Sequence, residues 1–143
     1  RQNDHATWVL APNRPGDARF AFLAGDPNWC LVHWSRAARI WLSRAAHPAL
    51  CAQDGYRIFT TPSLDATAFA VGRSNNAARV ARASTELKRM QQDAPTDPRP
   101  RIAQVVLAHG QGDRTKRDRL LSALVQDHGD DRAVLALLKR LTR

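Results

Sequence analysis

The stretch Asp65–Met90, D-A-T-A-F-A-V-G-R-S-N-N-A-A-R-V-A-R-A-S-T-E-L-K-R-M, constrains the fold more than any other part of the chain. Its second half places Val80, Ala83, Leu87 and Met90 on one helical stripe and Arg79, Arg82, Glu86 and Arg89 on the neighbouring one. A long amphipathic helix therefore opens near Asn75 or Asn76, both good N-cap residues. The first half supports two readings. Thr67–Val71 reads as a short strand that turns at Gly72-Arg73-Ser74. Alternatively, Ser63 caps a helix from Leu64 to Val71 that Gly72 stops, and Ala66, Ala68 and Ala70 favour that reading by propensity. A short apolar run does not separate the two. We take the strand–turn–helix reading first.

That reading has a chemical consequence. The first free N–H groups of the helix point back toward Gly72, where the missing side chain lets another group approach the backbone. The helix dipole adds partial positive charge, and Arg73 and Arg79 add full charge. Gly72, Arg73, Ser74, Asn75, Asn76 and Arg79 are thus the expected phosphate- or nucleotide-binding residues. If phosphate is hydrolysed there, Arg73 is the expected catalytic cation. A metal and a carboxylate are also needed, and Asp65 and Glu86 are the nearest carboxylates in sequence.

The charge balance points the same way. Lys and Arg total 22 against 13 acids, for a formal charge of +9, and nearly all the cations are arginine. Arginine suits bidentate phosphate contacts better than lysine does. DNA is the first partner to expect, with contacts spread over Arg82, Lys88, Arg89, Arg114, Lys116, Arg117 and Arg119, and a nucleotide such as ATP or CTP with Mg2+ is the second. Cys30 and Cys51 form no CxxC pair and no histidine cluster has metal spacing, so no metal site is expected. Two cysteines in a chain this long suit reduced thiols and a cytoplasmic setting. No apolar run approaches membrane-spanning length.

The remaining elements follow in order. Residues 1–6 are polar. Thr7–Ala11 and Ala18–Ala24 read as an antiparallel hairpin about the turn cluster P-N-R-P-G-D, and Trp29–Val32 as a third strand. Ser35 caps an expected helix running to Ala46, ended by His47-Pro48, and Tyr56–Thr60 reads as a strand. Asp93–Pro100, with three prolines, is a loop, and Arg101–Ala108 suits a buried strand. Lys116–Asp127 and Asp131–Thr142 form a helical hairpin joined at His128-Gly129-Asp130, with Gly129 as stop and Asp130 as cap. A protein partner docking on that hairpin is a third candidate function. The expected fold is α+β: a small mixed sheet with flanking helices, divided into a phosphate-binding part over 1–110 and the hairpin over 111–143.

With this element order, Phe69-Ala70-Val71-Gly72-Arg73-Ser74-Asn75-Asn76 and a following strand at Ile102–Leu107 resemble the ParB/sulfiredoxin fold. Sulfiredoxins carry a reactive cysteine directly after the glycine. Arg73 stands there, so sulfinic acid reduction is not implied. Ser74-Asn75-Asn76 stands where ParB proteins carry a second arginine. Trp41, His47-Pro48 and Phe69–Asn75 also look like the plasmid fertility-inhibition (oncogenic-suppression) proteins of that fold. The resemblance implies nucleotide and DNA handling, ATPase or DNase activity included, that blocks conjugative transfer.

Overall fold

The computed structural model describes residues 6–14 and 17–143. The expected polar start at 1–5 and the centre of the turn cluster at 15–16 lie outside the described residues. The chain divides into two compact units, 1–62 and 63–143. The sequence-based division at 110/111 falls inside the second unit. The class is the expected mixed α+β, with a three-stranded antiparallel sheet and seven helices among the described residues.

The first unit is built on strands β1 (Trp8–Pro12), β2 (Trp29–Trp34) and β3 (Ala38–Ser43) in the order β1-β3-β2. Three expectations change here. Ser35–Ala46 is not a helix: Ser35 N donates to Ala38 O at 2.9 Å and Ser35 Oγ accepts from Ala38 N at 3.2 Å, which turns β2 back into β3. From there side chains alternate. Arg39 and Trp41 are buried on one face, while Ile40 and Leu42 are half-buried on the other. Pairing on both sides of β3 outweighs the helical propensity of the alanines in Ser35–Ala46. The expected 7–11/18–24 hairpin is also corrected, because β1 pairs with β3, Trp8 opposite Leu42 and Leu10 opposite Ile40. Ala21–Gly25 is instead a short helix, α1, that buries only Leu23 and leaves Phe22 exposed. The expected strand at Tyr56–Thr60 reduces to one bridge, Tyr56 to Leu31.

Helix α2 (Pro48–Asp54) carries Cys51 into a disulfide with Cys30 of β2, the two Cα atoms 5.7 Å apart. The expectation of two reduced thiols is therefore wrong. The sequence separation of 21 hid the pairing, since β2 and α2 are brought together only by the sheet. Arg39 is 2 % exposed, and burial lowers the pKa of its guanidinium. At the surface, hydrogen bonds from Arg19 hold the Asp17 carboxyl down to about 2.

The second unit is helical throughout: α3 (Leu64–Arg73), α4 (Ala77–Asp93), α5 (Arg99–Gly110), α6 (Arg114–His128) and α7 (Arg132–Leu141). Helix α5 is its axis and touches the other four. The expected strand at Arg101–Ala108 is corrected to the body of α5. Ile102, Ala103, Val105, Val106, Leu107 and Ala108 are all buried, so this helix is apolar nearly all round and shows no 3.6-residue stripe in its sequence. Thr67–Val71 is likewise helical, so the helix–Gly reading of Asp65–Met90 holds and the strand–turn reading does not. Leu64, Ala68, Val71 and Gly72 form the buried side of α3.

The expected long helix and C-terminal hairpin are present. Asn76 caps α4, its side chain accepting from Arg79 N at 3.0 Å. The cap of α7 is Asp131 rather than Asp130, with Oδ1 accepting from Ala133 N at 2.8 Å. Among the described residues, no helix is long and apolar enough to cross a membrane.

Candidate nucleic-acid interface

The expected phosphate cradle is not a loop. Gly72 is buried in the last turn of α3, where a Cβ would lie 2.5 Å from Leu107 O and 3.2 Å from the Cα of Gly110. Gly110 answers it: a Cβ there would lie 2.9 Å from Phe69 O. The two glycines let the backbones of α3 and α5 touch, so glycine serves helix packing here rather than anion access. Ser74 N is taken by Val71 O at 3.0 Å, and Ser74 Oγ donates to the same carbonyl at 2.6 Å. Asn75 and Asn76 are exposed, and Arg79 is exposed in the first turn of α4. The cradle after Gly72 is therefore withdrawn, while the capped amino end of α4 remains.

The expected catalytic carboxylates are engaged elsewhere. Asp65 lies exposed in the first turn of α3, 3.6 Å from Arg140. Glu86 is 4 % exposed, with Arg82 3.8 Å away on the same helix. Among the described residues, no group of three or more His, Cys, Asp or Glu side chains could hold a metal ion.

The crossing at the two glycines gathers a different set. The Arg73 guanidinium lies over the Phe69 ring, 5.7 Å from its centroid. Phe69 stacks on His109 of α5, with centroids 6.2 Å apart and planes inclined by 28°. His109 Nδ1 is 3.3 Å from Arg117 Nη1 of α6, and Arg117 Nε donates to Asp118 at 2.9 Å. Gly112, with φ of 74°, turns the chain from α5 into α6. Asp113 caps α6, and Arg114, Lys116 and Arg117 fall in its opening residues. A row Arg73–Phe69–His109–Arg117 thus joins three helices at one end of the unit. Phe69 is 39 % exposed, and Arg73 and His109 are exposed.

Other expected contacts are more scattered. Arg114, Arg119 and Lys88 are exposed, and Arg89 is half-buried. Sequence reasoning chose Arg73 and Arg117 but missed Phe69 and His109. The available signal was the four-residue spacing of Phe69 and Arg73, which puts them on one helical face. In the first unit, a cleft of about 300 Å³ lined by Trp29, Trp41, Arg44 and Arg57 holds none of the expected site residues.

No protein-family model, no curated protein and no solved structure matches the chain. The functional reading accordingly rests on the residues themselves.

Proposed function

We propose that this protein binds DNA through the phosphate backbone and acts as a basic regulatory module, with the Arg73–Phe69–His109–Arg117 row at the centre of the contact surface. The observation that carries the reading is that row, which brings cations 44 positions apart in sequence onto one end of the helical unit. Two features support it. Residues 63–143 hold 15 Lys and Arg against nine acids. Such an excess repels itself, and a polyanion relieves the repulsion. The first turn of α4 contains no acid and its cap, Asn76, is neutral, so Arg79 sits against the local helix dipole, a placement that favours a bound phosphate, while Arg114 and Lys116 add charge beside the Asp113 cap of α6.

The salt dependence of DNA affinity tests this reading. Engagement of about five of these cations makes log K fall with log salt at a slope of roughly −4 to −5. Replacing Arg73 and Arg117 with glutamine reduces that slope by about 2. A slope near zero, or no change in the double variant, overturns the proposal.

Nucleotide hydrolysis with ATP or CTP and Mg2+, and a role in blocking conjugative transfer, are implied by the ParB/sulfiredoxin resemblance alone; the strands that resemblance needs at Thr67–Val71 and Ile102–Leu107 are helical, so the DNA-binding proposal does not rest on it. A cytoplasmic setting suits DNA binding. The Cys30–Cys51 bond pulls the other way, because disulfides persist in oxidising compartments, and the thiol state of the protein in cells decides between them.

A further inference from the structure

We infer that the surface selects single-stranded over double-stranded nucleic acid, with Phe69 and His109 as the platform on which unpaired bases stack. This deepens the phosphate-binding proposal and rests on it. A phosphate-only site needs cations and donors, and an exposed phenyl ring adds nothing to it. Phe69 is 39 % exposed, beside Arg73 and off the buried side of α3 that Leu64, Ala68 and Val71 form. Its ring is inclined by 28° to a second exposed ring, His109, with centroids 6.2 Å apart, and the planar guanidinium of Arg73 lies 5.7 Å from its centroid.

Three neighbouring planar groups beside positive charge suit the stacking faces of bases along a phosphate chain. In a duplex those faces are already stacked on each other and only base edges and backbone are offered. In a single strand they are free.

The test uses the whole protein and a fluorescein-labelled, non-self-complementary DNA strand of about 20 nucleotides, longer than the usual stacking-site size. Anisotropy titrations compare that strand with its own duplex at one salt concentration. We expect the single strand to bind about tenfold more tightly. Phe69→Leu, which keeps an apolar side chain but removes the flat face, costs about tenfold on the single strand and less than about twofold on the duplex. Phe69→Trp keeps or raises single-strand affinity. Circular dichroism establishes that each variant is folded, and if the leucine variant is not, the native preference and the tryptophan variant decide.

Equal affinity for strand and duplex overturns the inference, as does an equal loss on both in Phe69→Leu. If both forms bind with a steep salt slope and no preference, the stacking inference alone falls. If neither form binds at low salt, the phosphate-binding proposal falls with it.

Discussion

The two units solve the problem of making a core by opposite means. Residues 1–62 rely on partners distant in sequence: β1 finds β3 about 30 positions away, and β2 is tied to α2 by the Cys30–Cys51 bond. Residues 63–143 rely on helices that satisfy their own backbones and then pack on α5. A small sheet unit lacks the buried area to be secure alone, which is where a covalent link contributes most. The helical unit needs no link. It needs close approach, and Gly72 with Gly110 supplies it. Stability in one unit thus hangs on a bond between side chains, and in the other on the absence of two side chains.

That contrast can be broken experimentally, because the units carry separate probes. All four tryptophans lie in the first unit, and the second unit holds the five longest-packed helices that dominate the helical circular dichroism. The largest expected effect is removal of the disulfide. Cys30→Ala with Cys51→Ala lowers the stability of the sheet unit by about 3 kcal/mol, read as an earlier urea midpoint by tryptophan emission. A parallel shift in the helical signal would show that the two units unfold together.

Next is Gly72→Ala. On propensity alone it stabilises a helix by about 1 kcal/mol, but the new methyl meets Leu107 O at 2.5 Å. Steric overlap with a backbone carbonyl wins, and we expect a net loss of about 2 kcal/mol by the helical signal. A gain in stability would mean that α3 and α5 separate easily.

A smaller effect sharpens the account of the hairpin. Asp131→Ala leaves Ala133 N and Val134 N without their acceptor and lowers stability by about 1 kcal/mol, whereas Asp130→Ala has almost no effect. The reverse order would return the cap to Asp130.

The smallest effect lies at the surface of the sheet unit. The Asp17 carboxyl is held down to about 2, below its ordinary 3.8, first by the side-chain hydrogen bond from Arg19 and then by that residue's backbone N–H. Its folded pKa is depressed, so its contribution is complete above about pH 4 and is lost as pH falls toward 2. An NMR titration should place the Asp17 midpoint near 2, and Arg19→Gln should return it toward 3.8. An unchanged midpoint in the variant would assign the shift to another neighbour.

The same contrast explains what was readable from the residues. Helix α4 was legible because it is amphipathic and half-exposed, with Asn76 to start it. The hairpin α6–α7 was legible for the same reason, though its cap was misplaced by one residue. Helix α5 was not, because complete burial erases the periodicity that distinguishes helix from strand. Strand β3 was misread as a helix because its alternation of Arg39 and Trp41 with Ile40 and Leu42 put a buried cation where an apolar residue was expected. Of the candidate site, Arg73, Arg117 and their basic neighbours were visible as charge. Phe69 and His109 were not, since their stacking depends on where α3 crosses α5.

By itself, the order of residues determined the local matters: a mixed α+β class, an arginine-rich and strongly basic chain, the capped start of α4 and a leucine-faced helical hairpin at the end. These depend on interactions within a few positions, where propensity and spacing act directly. Tertiary structure alone decided that Thr67–Val71 and Arg101–Ala108 are helices, that Cys30 meets Cys51, and that Arg73 and Arg117 share a surface. The first is a choice between local conformations of nearly equal energy that contacts between residues far apart in the chain tip, and the other two are such contacts themselves.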